Sequence, residues 1–255
     1  MIDSHTHLFL CEKSEEDAVA DAAAAGVERM LDVGLDEATN EGVVAAAERH
    51  AAVFAAVGRH PNDAGGFDDA AAAAIARLGE HELVRAIGET GLDFYRDTAD
   101  PADQRRAFAA QIEIARELGK PLVIHARDAD GESAATDEIF ATLDERAGGV
   151  TVVLHCFSAP ARVGDAAERG WYCSFAGNVT YPRSAALREA AAAVPESQIL
   201  VETDAPFLSP QEMRGRRNEP AYVTATARLL AEVRGVSYAE LEATVQANAR
   251  RLFRW

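Results

Sequence analysis

Short apolar runs alternate along this chain with longer, alanine-rich amphipathic stretches, the pattern of repeated strand–helix units. Eight runs read as strands: residues 1–4 (MIDS), 28–35 (ERMLDVGL), 52–58 (AVFAAVG), 83–89 (LVRAIGE), 121–126 (PLVIHA), 150–156 (VTVVLHC), 171–176 (WYCSFA) and 198–204 (QILVETD). Between them lie helical stretches. In SEEDAVADAAAAG, Ser14 followed by acids predicts an N-cap with favourable first-turn charge. DQRRAFAAQIEIARELGK closes on Gly119 and Lys120, as a helix end does. PAYVTATARLLAEVRG and SYAELEATVQANARRLF read as two helices after the last strand.

Eight such units in 255 residues predict an α/β fold, a (β/α)8 barrel of TIM type with an extra C-terminal helix. The competing open, doubly wound sheet would need a glycine-rich phosphate loop after an early strand, and the sequence has none. No linker or change of composition divides the chain, so residues 1–255 read as a single domain.

In such a barrel, reactive side chains gather at the C-terminal ends of the strands. His5 and His7 follow the first predicted strand, Glu89 ends the fourth, His125 the fifth, His155 the sixth and Asp204 the eighth. Residues i and i+2 of an extended segment face the same way, so His5 and His7 can address one ion while Thr6 points elsewhere. One histidine at a strand end is ordinarily a satisfied polar residue. Four of the seven histidines at strand ends, with two acids in the same layer, point instead to metal. Four imidazoles and two carboxylates exceed one tetrahedral centre and suit two adjacent divalent ions sharing a carboxylate, with Glu89 the natural bridge by position. Asp204 is then the candidate to orient or deprotonate the attacking water. His60, in GRHPNDA after the third strand, faces the same mouth. Contact with substrate or leaving group is one reading, a structural role beside Pro61 the other. His50 and His81 fall on the opposite face and receive no function.

Charge narrows the partners. Asp and Glu total 42 against 25 Lys and Arg, a formal net charge of −17, and Lys13 and Lys120 are the only lysines. Such a surface suits solubility at high salt and disfavours generic binding to DNA or anionic membranes. Phosphate contacts must therefore be local, and arginine's planar fork suits them. Arg96, Arg127, Arg214, Arg216 and Arg217 stand near the predicted mouth, although the 214–217 cluster could equally pair with surplus acids.

Cys11, Cys156 and Cys173 form no C-x-x-C motif, which fits a reducing interior. Cys156 neighbours His155 but faces away from it, so it reads as a buried thiol. No run approaches a membrane span, and the first residues lack the basic and apolar regions of a signal peptide, so a cytoplasmic protein is expected. Asp3 and Asp93 either hold ligand imidazoles or cap turns. Phe94 and Tyr95 either stack on a terminal base or, for Phe94, join the core.

The motifs DSHTH (3–7), GRHP (58–61), IGETGLDFYR (87–96), IHARDA (124–129), LHCFS (154–158), ETDAP (202–206), RGRRNEP (214–220) and NARRLF (248–253) occur in that order over almost the whole chain. In this the sequence resembles the TatD-related deoxyribonucleases, metal-dependent hydrolases of the amidohydrolase-like barrel group. The resemblance implies a divalent-metal 3′-to-5′ exonuclease acting on DNA, with RNA also a substrate for some members. Carried over, His5, His7 and Asp204 match the ligands of one metal, His125 and His155 those of the other, and Glu89 the shared carboxylate. The ions implied are magnesium, manganese or zinc. Ala159 stands where the family usually has glycine, and Asn178 lies in a variable segment. Relatives that bridge their metals with a carboxylated lysine differ, since Lys13 and Lys120 both lie off the active face. Two other readings of the site are a metal-dependent esterase, such as an aminoacyl-tRNA deacylase, and an inactive metal-stabilised binding protein. The complete ligand set argues against the second.

Overall fold

The computed structural model describes residues 1–96 and 98–255. Among them are eight strands: β1 (Ile2–Thr6), β2 (Arg29–Val33), β3 (Val53–Val57), β4 (Val84–Asp93), β5 (Leu122–Arg127), β6 (Val152–Leu154), β7 (Tyr172–Phe175) and β8 (Ile199–Val201). Each pairs in parallel with the next, β1 through β8 in chain order. The seam nearly closes through a Thr6–Ala205 bridge, with His7 N donating to Ala205 O at 2.9 Å and Asp204 N to His5 O at 2.9 Å. Closure therefore sets His5, His7 and Asp204 side by side.

The outer layer is α1 (Glu15–Ala24), α2 (Glu37–Arg49), α3 (Asp69–Gly79), α4 (Pro101–Leu118), α5 (Ala134–Arg146), α6 (Val163–Glu168), α7 (Ala185–Ala193) and α8 (Val223–Arg234), and α9 (Tyr238–Phe253) is the extra C-terminal helix. Ser14 caps α1 by accepting from Asp17 N, and α4 ends on left-handed Gly119. The strands bury Val, Ile and Leu, while the helices turn Ala18, Ala22, Ala46, Ala107, Ala115 and Ala166 inward. Such small side chains let the helices sit close on the strands, each larger buried side chain adding roughly 1.5–3 kcal/mol of transfer free energy.

Several element ends differ from the sequence reading: β1 runs to Thr6 and so includes His5, and β5 runs two residues past His125. Glu89 does not end its strand, because β4 keeps pairing with β5 as far as Asp93↔Arg127. The chain passes there through Gly91, whose missing Cβ would lie 2.0 Å from His125 O, so the close β4–β5 approach needs a residue without a side chain. At β6 and β8 the ladder stops early, leaving His155 one residue beyond its strand and Asp204 three. Asp204 bends away at φ 55, a left-handed conformation that Asp tolerates better than most residues.

Two buried glutamines of α4 anchor the strand ends. Gln111 donates to Thr90 Oγ1 at 2.7 Å and accepts from Arg59 N at 2.8 Å. Gln104 accepts from Asp93 N at 2.9 Å and donates to Ala99 O at 3.2 Å. No helix among the described residues is long and apolar enough to cross a membrane.

Candidate active site

Glu89 is the hub of the barrel mouth. It is buried, and its two oxygens face different neighbours. Oε2 lies 3.3 Å from His5 Nε2 and 3.8 Å from His7 Nε2, whereas Oε1 lies 2.6 Å from His125 Nδ1, 2.9 Å from His155 Nε2 and 3.5 Å from His60 Nε2. Asp204 Oδ1 completes the first group, 3.6 Å from His7 Nε2 and 4.0 Å from His5 Nε2. The structure thus brings together all six residues read from the strand ends.

Hydrogen bonds on the far side of each ring decide what the near side offers. His7 Nδ1 donates to Val33 O at 2.7 Å, so its Nε2 presents a lone pair. His155 Nδ1 donates to Glu202 Oε1 at 3.0 Å and His125 Nε2 to Asp93 Oδ2 at 3.2 Å, so in their neutral form the inward nitrogens are lone pairs too. Lone pairs converging on carboxylate oxygens repel unless positive charge, a proton or a metal ion, lies between them. Four ligands about 2.0–2.1 Å from one ion stand roughly 3.3–3.4 Å apart, close to the spacing of the His5, His7 and Glu89 donor atoms. The donor set therefore fits a divalent cation.

His60 is different. Its Nδ1 accepts from Asn62 N at 3.0 Å, which leaves the proton on Nε2 and makes the ring a donor toward the centre. His60, Glu89 and His125 do lie close enough to form a metal-binding triad, as do His5, His7 and Glu89. The Asn62 bond nonetheless favours His60 as a hydrogen-bond donor to a bound group. His5, His155 and Glu202 form a third such triad, in which Glu202 is already engaged with His155.

Titration reflects the same arrangement. Burial alone would raise Glu89, but His155, His60 and His5 hold it well below the usual carboxylate range. Burial opposes charge on His155, yet Glu89 and Glu202 push it well above an ordinary imidazole. His7 and His125 are raised against burial by Asp204 and by Asp93 with Glu89, whereas burial, with His155 for His5, pulls His5 and His60 down. The acids recruit positive charge, which a divalent ion supplies in more concentrated form.

Glu202 escaped the sequence reading. It lies two residues before Asp204 and is fully buried, accepting from Cys156 N at 2.7 Å as well as from His155. Asp93 plays both roles read for it, bonding His125 and accepting from Tyr95 N and Arg96 N at 3.0 and 2.9 Å. Asp3 touches no ligand imidazole, because it reaches across the seam to Thr203 N and Oγ1, at 2.9 and 2.5 Å. Burial pushes the Cys156 thiol well up, as expected of an inert sulfur.

Around the mouth, Arg127 stacks over exposed Tyr95 at 4.1 Å, and Phe94 is packed against the core. Arg96 is exposed. Arg214 covers Tyr181 at 4.6 Å and Arg217 Nη2 donates to Leu10 O at 3.2 Å, and these two line a cavity of about 500 Å³ with Arg216 and Phe207. Among the described residues none of the 214–217 arginines forms an ion pair, so the surplus acids do not occupy them. Phe9 and Phe207, which the sequence did not single out, are 39% and 48% exposed and stand edge-on to His7 at 5.9 and 6.3 Å.

A family model described as TatD related DNase matches residues 2–254. The chain is 40% identical over 263 aligned residues to a Mycobacterium tuberculosis protein named uncharacterized metal-dependent hydrolase TatD, covering 99% of this chain and 97% of that one. It is 37% identical to the 3′-5′ ssDNA/RNA exonuclease TatD of Cronobacter sakazakii, over 95% of this chain and 92% of that one. Among solved structures, the Escherichia coli TatD homolog YjjV superposes with a TM-score of 0.91 at 26% identity, covering 100% and 98% of the two chains.

Proposed function

The chain belongs to the TatD-related DNase family of metal-dependent hydrolases, and on that premise we propose that it is a 3′-to-5′ exodeoxyribonuclease with a two-metal site. The observation that carries this reading is Glu89, whose Oε2 faces His5 and His7 while its Oε1 faces His125 and His155. A carboxylate so placed suits a bridge between two ions, one held by His5, His7 and Asp204 and the other by His125 and His155. Bound there, divalent ions offset phosphate charge and lower the pKa of a coordinated water.

The protein's own groups do the rest. Asp204 Oδ2 makes no hydrogen bond among the described residues, which leaves it free to orient the attacking water and take its proton. The His60 Nε2 proton can be given in hydrogen bonding to the leaving oxygen as charge builds there. Arg127, Arg96, Arg216 and Arg217 supply forked donors for the backbone phosphates, and Phe9 and Phe207 offer faces on which a terminal base can stack. The named exonuclease relative supports single-stranded DNA as substrate, with RNA as a second.

The test is hydrolysis of 3′- and 5′-labelled single-stranded DNA across a magnesium, manganese and zinc series. Glu89→Ala and His125→Ala should abolish nucleotide release while circular dichroism shows the fold retained. Full activity in either variant would overturn the site. Release of amino acid from charged tRNA without nucleotide release would replace nuclease with deacylase.

A further inference from the structure

The opposite end of the barrel holds a cavity of about 740 Å³, walled by the starts of β4 and β7, the segments leading into β5 and β6, and the ends of α4 and α9. Five cations line it: Arg116 pairs with Glu113, whereas Arg85, Lys120, Arg251 and Arg254 have no carboxylate partner among the described residues. The chain has acids to spare, 42 against 25 bases, and Lys13, Arg49, Arg59, Arg105 and Arg169 each take one, whereas these four, like the 214–217 arginines at the other mouth, take none among the described residues. Glu80 and Glu82 also line the cavity, but they are exposed and outside ion-pair distance.

Counting donors shows what remains for a ligand. Arg85 carries five N–H groups. None bonds a described residue, its buried Nε is orphaned, and its guanidinium lies 5.2 Å over the Phe54 ring. Lys120 spends two of its three donors on His81 O and Val84 O, at 3.1 and 2.5 Å. Arg251 uses Nε on Tyr172 Oη and Nη2 on Ser197 O and Asn248 Oδ1, leaving Nη1 free. Burial and the neighbouring Arg85 pull Lys120 down to about 8, the mark of two cations sharing a half-dry space without an anion.

We propose that this floor cavity binds a small phosphate-bearing anion, held by the free donors of Arg85, Lys120 and Arg251. Its volume suits pyrophosphate or a mononucleotide. The site lies apart from the metal-type ligands and does not depend on the activity assigned to the other mouth.

The test uses the full chain in excess chelator, with thermal unfolding and calorimetric titration against inorganic phosphate, pyrophosphate and dAMP. Saturating pyrophosphate should raise Tm by several degrees. Arg85→Gln and Lys120→Gln should each weaken its binding at least about tenfold, and Glu89→Ala should leave it unchanged. Hydrolytic activity of the two floor variants should stay at the native level. Tighter binding of dAMP than of phosphate would assign a nucleotide, and equal binding the phosphate group alone. No Tm rise at about 10 mM of any probe, binding that survives in Lys120→Gln, or binding lost in Glu89→Ala would overturn the site. Lys120→Gln decides the matter should Arg85→Gln fail to fold.

Discussion

His155 Nδ1 donates to Glu202 Oε1 at 3.0 Å, and this bond fixes which imidazole nitrogen faces Glu89. Glu202 also accepts from Cys156 N, so one buried carboxylate sets both the tautomer and the position of the ring. Glu202→Gln keeps the shape and an acceptor oxygen but drops the charge that favours the donor tautomer. Metal affinity should fall about 10- to 100-fold, read by titrating the chelator-stripped protein with manganese or zinc. An unchanged affinity would reduce Glu202 to filling space.

His60 separates donor from ligand. As a donor to the leaving oxygen, its loss in His60→Ala should lower kcat by about 10²- to 10³-fold while metal content stays at the native level. His60→Gln, which retains an N–H, should recover part of that. A parallel loss of metal in His60→Ala would make it a ligand instead.

Phe207 tests the rim. If a terminal base stacks on it, Phe207→Ala should raise KM for single-stranded DNA at least about fivefold, the lower end of the stacking range, and leave turnover of a small phosphodiester unchanged. Equal effects on both substrates would mean that the ring instead supports His7.

The barrel was legible because its units repeat. Each buried strand announces itself as an apolar run, and the rule that strand ends converge brought His5, Glu89, His125, His155 and Asp204 into one layer. What stayed hidden depends on contacts remote in sequence. The extension of β4 through the Gly- and acid-containing ETGLD is imposed by pairing with β5, which local pattern does not carry. Glu202 and Asp204 share the segment ETD, and only the position of His155, 47 residues away in sequence, shows that one holds a ring while the other faces the centre. The donor role proposed for His60 likewise rests on a backbone N–H two residues on.

Gly91 shows how tightly β4 and β5 are set. Its φ of 140 and the 2.0 Å between an added Cβ and His125 O leave no room for a side chain. Gly91→Ala should cost about 2–4 kcal/mol in urea unfolding, and the surviving folded protein should bind metal poorly because His125 is displaced. Native metal affinity in a destabilised variant would confine the damage to the backbone.

Lys120 gives a pH dependence whose sign can be worked out. Burial, reinforced by Arg85, lowers it from its ordinary 10.5 to about 8, so between those values the unfolded chain holds a proton that the folded chain has released. Stability must rise with pH across that window. The cost of the buried charge is fully present below 8 and is gone above 10.5. Lys120→Met has no such proton, so its Tm relative to the native chain should be highest near pH 7 and should decline steadily toward pH 10.5. Because the side chain is half-buried, solvent screens the effect to a fraction of what full burial would give. Parallel Tm curves for the two proteins would show that Lys120 titrates as an ordinary lysine. Saturating pyrophosphate should flatten the native slope, since an anion in the floor cavity returns the proton to Lys120.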